Sequence, residues 1–480
     1  MSETEPLPPA AEAADPGKLS TGMRLAFLAV ASALFMEFID STALSTALPT
    51  LARAFHADPV HLKLALTSYI LALAVFIPIS GWAAERFGAR RVFITAMAVF
   101  LAGSALCGLS RTLPELVGAR IIQGMGGAMM TPVARLIVVS ATPRQYLLRG
   151  MGWFTMPALI GPLVGPPLAG FVLSVADWPW IFYLNMPIGL LGMAAVMRWV
   201  PPLKGTHPGK FDWGGFFLSA AAIVGVVAVA ETAGMSLIPR PMQVVVVLAA
   251  VAAMVAYIVQ ARTKARPILD LGLLRLPTYR ASMLGGLFVR LGVGAGPFLL
   301  PLLLQIGLGW TPLQQGSVTL ASGFGVLGAR PFVAASLRRI GFRKQLIGSV
   351  LIASVLVAIP GFFRSSTPPL LIMALLFAAG FARANQFIAA NTIAYADVPQ
   401  EKLAAASTLS AVMQQVGLAL GVSFGGMMLH IARGADGALT PDRFVMPFLA
   451  VGAVTLLAAP VYLRLHPEAG ALIAGRTRRG

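Results

Sequence analysis

Two acidic side chains, Glu37 and Asp40, stand near the middle of an apolar run that extends from Leu25 to Ala52. The run is long enough to cross a bilayer as one helix, in which residues three apart lie on the same face. An ionised side chain at that depth costs about 2.5–3.5 kcal/mol on insertion scales, so such residues usually serve a function. In a partly dry cavity a carboxyl group keeps its proton more readily, and a second acid nearby strengthens this effect. The two acids therefore suit a proton carrier.

Arginine and glutamine side chains inside other apolar runs offer partners to these acids. Arg120 and Arg290 are candidate ion-pair partners, so a structural ion pair is the alternative to a proton-carrying role for both acids. Arg120 is assigned with the acids to the predicted proton-coupling site, where it would relay or modulate the proton, and binding of an anionic cargo is the alternative. The remaining polar residues of this kind are assigned to a substrate cavity: Arg290, Gln123, Gln305, Arg383 and Gln386.

An apolar wall for that cavity is predicted from Trp153, Phe154 and Met156, near the start of another run. Methionine and aromatic side chains adapt to varied ligands. Ordinary packing between helices is the alternative.

The composition is typical of a membrane protein. Of the 480 residues, 57% are hydrophobic and 11% are charged, against about 25% in soluble domains, and the mean hydropathy is +0.81. The N-terminal stretch 1–22 is acidic, rich in Pro and Ala, and lacks the features of a secretory signal. Cys107 is the only cysteine, and the five histidines show no metal-ligand spacing, so neither a disulfide nor a metal site is expected.

Fourteen apolar runs are predicted to be transmembrane helices in an all-α polytopic protein, because backbone groups in lipid must be hydrogen-bonded internally. The runs cover residues 25–52, 62–83, 92–109, 114–140, 150–174, 178–197, 213–231, 241–261, 281–306, 313–335, 346–363, 368–394, 403–431 and 444–463. With both termini cytoplasmic, 24 of the 36 Lys and Arg lie on that side and seven on the other. This asymmetry follows the positive-inside rule, so the net charge of +18 reflects topology and not nucleic-acid binding.

The runs are grouped as six, two and six. The predicted parts are a disordered cytoplasmic tail (1–22), an N-terminal six-helix bundle (23–200), cytoplasmic loops with two extra helices (201–280), a C-terminal six-helix bundle (281–464) and a basic cytoplasmic tail (465–480).

The two bundles are expected to be duplicates. At an offset of 253, residues of one loop recur in the other: Pro78, Arg86, Gly88 and Arg90 match Pro331, Arg339, Gly341 and Arg343. At an offset of 256, Gly161, Gly165 and Gly170 match Gly417, Gly421 and Gly426. At the offset of 253, Glu37 corresponds to Arg290. An ion pair between them that is permanent and one that forms in only one access state are both compatible with the sequence. Arg383-x-x-Gln386 repeats the pattern Arg120-x-x-Gln123.

The segment "GWAAERFGARR" resembles the signature loop that follows the second helix in the major facilitator superfamily. The matching residues are Gly81, Glu85, Arg86, Gly88, Arg90 and Arg91, with Glu85 where aspartate is usual. The resemblance implies two parallel six-helix halves, a substrate site between them near the midplane, and a loop that governs exchange between access states.

Further segments resemble the drug:H⁺ antiporter subfamily with fourteen spanning helices, the EmrB/QacA type. "FIDSTALSTALP" is similar to its first-helix signature, with Ser45 where asparagine is usual, and "ARIIQGMGG" is similar to its fourth-helix motif. "MPALIGPLVGPPLAG" resembles its fifth-helix antiporter motif through Gly161, Pro162, Gly165, Pro166 and Gly170, with prolines at 157 and 166 where glycine is usual. "DWPWIFYLNMPIG" resembles its entry to helix six, where Asn185 and Tyr183 are expected to anchor the interface, and "RLGVGAGPFLLPLLLQIGLGW" resembles an MdtD- and HsrA-like branch.

This resemblance implies a proton-driven exporter of drugs or metabolites in the bacterial inner membrane. Because Asp40 lies in the first-helix signature and Glu37 lies outside it, Asp40 is predicted to be the principal proton-coupling residue, and Glu37 is predicted to tune its pKa or to contact a cationic cargo. It needs no cofactor beyond the proton gradient, and it leaves open the cargo and whether a periplasmic adaptor joins it. An inward or uniport transporter of a polar solute is the main alternative, and a membrane sensor or scaffold without transport is another. An enzyme is disfavoured, because the sequence has no nucleotide-binding loop and no nucleophile with a matched base.

Overall fold

A computed structural model describes residues 21–141, 147–202, 205, 209–232, 239–264, 267–434, 437–471 and 473. It describes the side chains of all these residues except residue 21 and residues 141–159. Within these ranges the chain is helical and contains no β-strand. Residues 1–20 of the predicted N-terminal tail and half of the predicted C-terminal tail, 472 and 474–480, lie outside them. Helix α1 already begins at Thr21, inside the stretch predicted to be disordered.

The helices form two sets with a pair between them. The N-half comprises α1 (Thr21–Ala54), α2 (Lys63–Phe87), α3 (Ala89–Leu109), α4 (Leu113–Ala141), α5 (Leu147–Val175), α6 (Trp180–Tyr183) and α7 (Asn185–Trp199). The pair between them in the chain comprises α8 (Trp213–Thr232) and α9 (Arg240–Thr263). The C-half comprises α10 (Pro277–Leu302), α11 (Pro312–Ala358), α12 (Pro369–Ala394), α13 (Leu403–Ala432), α14 (Val445–Leu456) and α15 (Ala458–Leu463). A π-helical turn, Leu303–Gly307, extends α10.

Twelve helical stretches of the described chain are long and apolar enough to cross a membrane. One of them, Pro312–Phe362, is 51 residues long and is interrupted at Gly341, where the backbone leaves the helical region. Helix α5 has 29 residues, of which Ile160–Val175 forms a shorter apolar stretch with described side chains. Each of the fourteen predicted spans falls on helical residues, but the number of separate crossings stays a prediction.

The two halves repeat the same local geometry. Gly88 and Gly341, which are 253 residues apart, both have positive φ angles, of 88° and 77°. Such angles are easy only for glycine, so each half turns between two helices at an equivalent residue. A Cβ on Gly161 of α5 would lie 2.6 Å from the Cβ of Phe38 in α1, and a Cβ on Gly417 of α13 would lie 2.9 Å from the Cβ of Arg290 in α10. Helix pairs α1/α5 and α10/α13 thus pack closely in the same way.

The halves meet tightly at the end of the bundle where α1 turns into α2, called here the α1–α2 end. A Cβ on Gly170 of α5 would lie 2.5 Å from the carbonyl oxygen of Pro312, so the backbones of α5 and α11 are in direct contact. Gln305 of the C-half donates a hydrogen bond of 2.8 Å to the carbonyl of Thr46 in α1.

An ion pair between Asp58 and Arg433 also joins the halves at the α1–α2 end. Burial raises the pKa of the Asp58 carboxyl, but the hydrogen bond and charge of Arg433, with the amide of Val60, outweigh it and hold this pKa below its usual value. A lowered pKa means that the pair contributes stability above the ordinary pKa of the carboxyl. That contribution disappears as the pH falls through the lowered pKa.

A second ion pair at this end connects all three sets of helices. The Nζ of Lys63 in α2 lies 2.8 Å from Oε2 of Glu231 in α8, and both side chains are buried. The hydroxyl of Ser423 in α13 donates to Oε1 of Glu231 at 2.7 Å. A Cβ on Gly426 would lie 2.6 Å from Cδ of Lys63, so this glycine leaves the lysine its space.

We expect Glu231→Gln to destabilise the protein markedly, because it leaves the fully buried Lys63 without a counter-charge. Breaking one partner of a buried pair typically costs about 3–5 kcal/mol, whereas replacing both partners by neutral groups is often tolerated. Thermal unfolding of the purified protein should therefore show a large loss for Glu231→Gln and a recovery in Lys63→Met with Glu231→Gln. As a control, Arg364→Gln removes an exposed pair with Asp442 and should change little. Equal unfolding temperatures for Glu231→Gln and the wild type would show that the pair does not hold this end together.

Candidate functional site

Asp40 lies at the centre of a buried polar network, with 1% of its surface exposed. Its Oδ2 accepts from Nη1 of Arg120 at 2.5 Å, and its Oδ1 accepts from Gln123 and Asn185 at 2.8 Å each. Both oxygens are thus satisfied by three donors, two of them neutral amides and one a guanidinium. This arrangement stabilises the ionised carboxylate without leaving a net charge.

The partners of Asp40 are themselves held by the N-half. Nε of Arg120 donates to the carbonyl of Ala65 at 3.2 Å, and its guanidinium lies 4.2 Å from the ring centroid of Tyr69. The hydroxyl of Ser104 accepts from Gln123 at 2.9 Å and from Asn185 at 2.8 Å. Every member of the network therefore belongs to α1, α2, α3, α4 or α7.

The structure identifies network members that sequence analysis did not assign. Asn185, which was expected at the membrane interface, is fully buried against Asp40. Ser104 and Tyr69 are also buried members of the network, and they contact the partners of Asp40. The only sequence signal for Asn185 is that a polar residue occurs near the start of an apolar run. That signal does not show which helix faces Asn185. Gln123, assigned to the substrate cavity, also lies in the network.

Glu37 lies one turn before Asp40 on α1 and has different surroundings. Its Oε2 accepts from the hydroxyl of Thr131 at 3.0 Å, and 9% of its surface is exposed. It forms no ion pair with any described residue, so the pair with Arg290 that the duplication left open is not seen in this arrangement.

Arg290, the counterpart of Glu37 in the C-half, forms no ion pair with a described residue either. It is 5% exposed, and its Nη1 is buried without a hydrogen-bond partner among the described residues. A Cβ on Gly286 would lie 2.6 Å from Nη1, so the side chain folds back along α10. A buried guanidinium nitrogen without a hydrogen-bond partner is costly, and Arg290 is therefore a candidate for ligand contact.

Arg383 and Gln386 do not occupy the positions of Arg120 and Gln123. Gly124 of α4 packs on Tyr69 of α2, and Gly380 of α12 packs on Ser322 of α11, which corresponds to Tyr69 at the offset of 253. Helix α12 is therefore related to α4 by an offset of 256. By this offset Leu376 corresponds to Arg120, and the similarity of the two Arg-x-x-Gln patterns does not reflect the duplication.

The remaining predicted cavity residues are distributed over different places. Arg383 is partly buried and donates from Nη2 to the hydroxyl of Ser322 at 3.3 Å. Gln386 accepts from Ser349 and donates to the hydroxyl of Tyr462 at 2.9 Å, so it packs within the C-half. Gln305 lies at the contact between the halves. The side chains of Trp153, Phe154 and Met156 lie outside the described residues.

The predicted antiporter motif of α5 lies at contacts with two other helices. Gly161 and Gly165 pack on α1, the latter against the hydroxyl of Thr42, while Gly170 packs on α11. The carbonyl of Pro166 meets Gly316 of α11, and Pro162 follows Gly161 on the same helix. The motif therefore lies where the halves meet.

The predicted gating loop lies at the end of the bundle opposite the α1–α2 end. Arg90 donates to the carbonyl of Met197 in α7, while Glu85, Arg86 and Arg91 are exposed. A Cβ on Gly81 would meet no described atom within 4 Å, so Gly81 makes no close contact with another helix in this arrangement. Across the described residues, no group of three or more His, Cys, Asp or Glu side chains is placed to hold a metal ion.

Comparisons with known proteins agree with this architecture. The family model described as "Major Facilitator Superfamily" matches residues 30–273 and 282–478. "Putative multidrug resistance protein MdtD" of Klebsiella pneumoniae subsp. pneumoniae is 32% identical over 469 residues, covering 96% of this chain and 99% of the relative. The MdtD protein of Yersinia enterocolitica is 33% identical, covering 94% of this chain and 97% of the relative.

Solved transporters have the same fold. A peptide transporter of the POT family, crystallised with sulfate, superposes with a TM-score of 0.69 at 14% identity and covers 93% of this chain and 95% of its own. A POT family transporter in complex with 5-aminolevulinic acid superposes with a TM-score of 0.68 at 15% identity, covering 93% of this chain and 96% of its own. The extent of the family match and the identity to full-length relatives show that this chain belongs to the Major Facilitator Superfamily, whose members are transporters and not enzymes.

Proposed function

We propose that this protein is a proton-coupled exporter of drugs or metabolites that works by alternating access in the bacterial inner membrane. The names of its MdtD relatives support export of several drugs. The observation that carries proton coupling is Glu37, a nearly buried acid that has one hydroxyl partner and no cationic partner among the described residues.

Within the acid pair, Glu37 carries the exchangeable proton and Asp40 remains ionised. Sequence analysis favoured the reverse assignment, with Asp40 as the principal carrier. All the partners of Asp40 lie in the N-half, so rocking of two rigid halves would leave its surroundings unchanged. A group couples to alternating access only if its proton affinity differs between the two states. Glu37 meets this condition better, because its counterpart Arg290 belongs to the other half.

Arg120 contributes by fixing the charge of Asp40. The ionised pair presents a constant electrostatic environment to Glu37 one turn away on α1. The proton of Glu37 then responds to what moves, which is the C-half and the cargo. This division of roles keeps all three predicted residues in the coupling site.

The access state follows from the contacts at the α1–α2 end. With both termini cytoplasmic, that end is periplasmic, and the packing of Gly170 on Pro312 and the pair of Asp58 with Arg433 close it. Entry from the cytoplasm would pass the gating loop, where Gly81 has free space. We therefore assign this arrangement to the inward-facing state.

Fourteen crossings are consistent with the helix lengths. At about 1.5 Å per residue, the 51-residue stretch Pro312–Phe362 would be about 75 Å long, more than twice the hydrocarbon thickness of a bilayer. The break at Gly341 divides it into two crossings. Helix α5, with 29 residues, supplies another.

We expect Glu37→Gln to abolish proton coupling while leaving the fold intact, because it keeps the shape of the side chain and the Thr131 contact but cannot ionise. The protein is reconstituted in liposomes with an imposed pH gradient, and substrate-induced proton movement is followed. Binding without proton movement is the expected result.

Asp40→Asn serves as the contrasting variant. It leaves Arg120 buried without a counter-charge, so we expect a loss of stability of about 3–5 kcal/mol that Asp40→Leu with Arg120→Met partly restores. A well-folded Asp40→Asn protein without coupling, beside normal coupling in Glu37→Gln, would transfer the carrier role to Asp40.

The gating loop should control exchange more than binding. Gly81→Leu fits the free space in this state but should obstruct closure of this end, and Gly88→Leu strains a backbone with φ of 88°. Both should slow turnover at least tenfold with ligand affinity within about twofold of the wild type. Gly118→Leu is the matched control, because Gly118 also has free space but lies near the start of α4, at the opposite end of the bundle from the gating loop. Lost affinity at unchanged turnover would place the gate elsewhere.

Reporter fusions test the topology. An alkaline-phosphatase fusion after Lys210 should be inactive, because the loop before α8 is cytoplasmic in the proposed arrangement. A fusion after Arg111, in the turn before α4, should be active. The opposite pair of results would invert the proposed orientation.

A further inference from the structure

The buried charges of the two halves are not balanced in the same way. In the N-half, Asp40 and Arg120 neutralise each other, which leaves Glu37 as one unpaired acid. In the C-half the corresponding positions are apolar, because Val293 stands where the first half has Asp40 and Leu376 where it has Arg120. The C-half thus lacks the internal ion pair of its counterpart.

Two arginines of the C-half nevertheless carry charge within the membrane-spanning region. Arg290 replaces Glu37 at the equivalent position of α10, and Arg383 stands on α12 where α4 has Gly127. Neither forms an ion pair with a described carboxylate, and Arg290 has a buried Nη1 with no partner. Arginine stays protonated even when buried, so both charges persist.

Within the predicted spans, the unpaired charges of described residues that are buried or partly buried therefore have opposite signs on opposite halves, whereas Arg135 and Arg330 are exposed. One acid belongs to the N-half, two guanidinium groups belong to the C-half, and they do not pair with one another across the described structure. Arg383 contacts Ser322, whose neighbour Gly323 would place a Cβ 2.5 Å from Leu163 of the N-half, so this arginine lies close to the boundary. A ligand that binds between the halves and carries both a cationic and an anionic group can pair with the charges of both halves.

We propose that the cargo is a zwitterion, bound with its anionic group on Arg290 and Arg383 and its cationic group at Glu37. A guanidinium matches a carboxylate in shape and donates two parallel hydrogen bonds to it. The cationic group of the cargo and the proton compete for Glu37. This competition has the sign that antiport requires, since cargo binding releases the proton and protonation releases the cargo.

The inference rests on the proposed exporter function, and it is tested by binding alone. Ciprofloxacin is a suitable probe because it is a fluorescent zwitterion whose charges can be removed one at a time. Its methyl ester keeps only the cation, and its N-acetyl derivative keeps only the anion. Affinities of the three are measured by fluorescence polarisation on the purified full-length protein without a pH gradient.

The wild type should bind the zwitterion at least tenfold more tightly than either derivative. Arg290→Gln and Arg383→Gln should each reduce the preference over the methyl ester, and Glu37→Gln should reduce the preference over the N-acetyl compound. Arg339→Gln, which removes an exposed charge at the end of the same half, should leave all three affinities unchanged. A further variant, Val293→Asp, supplies the C-half with an acid and should lower the affinity for the zwitterion, whereas Val293→Asn should not lower it.

Several outcomes would overturn the proposal. These are equal affinity of the wild type for the zwitterion and its methyl ester, no binding of any of the three, or Arg290→Gln with unchanged selectivity. The proposed function fails independently, if the binding pattern is as expected but cargo moves no protons in liposomes. Proton-coupled transport of the methyl ester with no preference for the zwitterion would refute the cargo class and leave the exporter function standing.

Discussion

The cost of burying charge in a medium that solvates it poorly organises this transporter. Where a charge serves the scaffold, the structure pairs it completely: Asp40 receives three donors, and Lys63 receives Glu231. Where charges are left unpaired, at Glu37 and Arg290, the cost has to be met by a proton, a ligand or another conformation. Paired and unpaired charges therefore divide the interior into parts that hold shape and parts that respond.

The glycines of the interface perform the complementary task of letting backbones touch. The packing of Gly161 on α1 and of Gly417 on α10 makes each half a tightly joined unit, and Gly170 brings α5 against α11. Close backbone contact stiffens a bundle and concentrates movement at its boundaries. The interface of α5 with α11 and the turns at Gly88 and Gly341 are the places where such movement can occur.

Most of the architecture could be predicted from the sequence because hydrophobic runs, charge asymmetry and repeated glycines are local signals. All fourteen predicted runs are helical, and the duplication recurs as geometry at Gly88 and Gly341. Contacts between distant helices could not be predicted in this way. The burial of Asn185 against Asp40, and of Lys63 against Glu231, depends on which helix faces stand opposite each other, and a single sequence does not record this. The likeness of Arg383-x-x-Gln386 to Arg120-x-x-Gln123 misled for the same reason.

The duplicated fold also gives the reason why we propose Glu37 rather than Asp40 as the coupling acid. The halves share a repeated geometry, but among the described residues only the N-half has a buried ion pair within its own spans, that of Asp40 with Arg120. The charge of Asp40 is therefore balanced without any contribution from the C-half. An acid inside that completed network has the same neighbours in both access states, and the energy of its ionisation does not distinguish them. Glu37 stands just outside the network, at the position that carries Arg290 in the other half. In the proposed mechanism, its ionisation responds to a charge that belongs to a separately moving half, and this response would convert a rocking motion into a change of proton affinity.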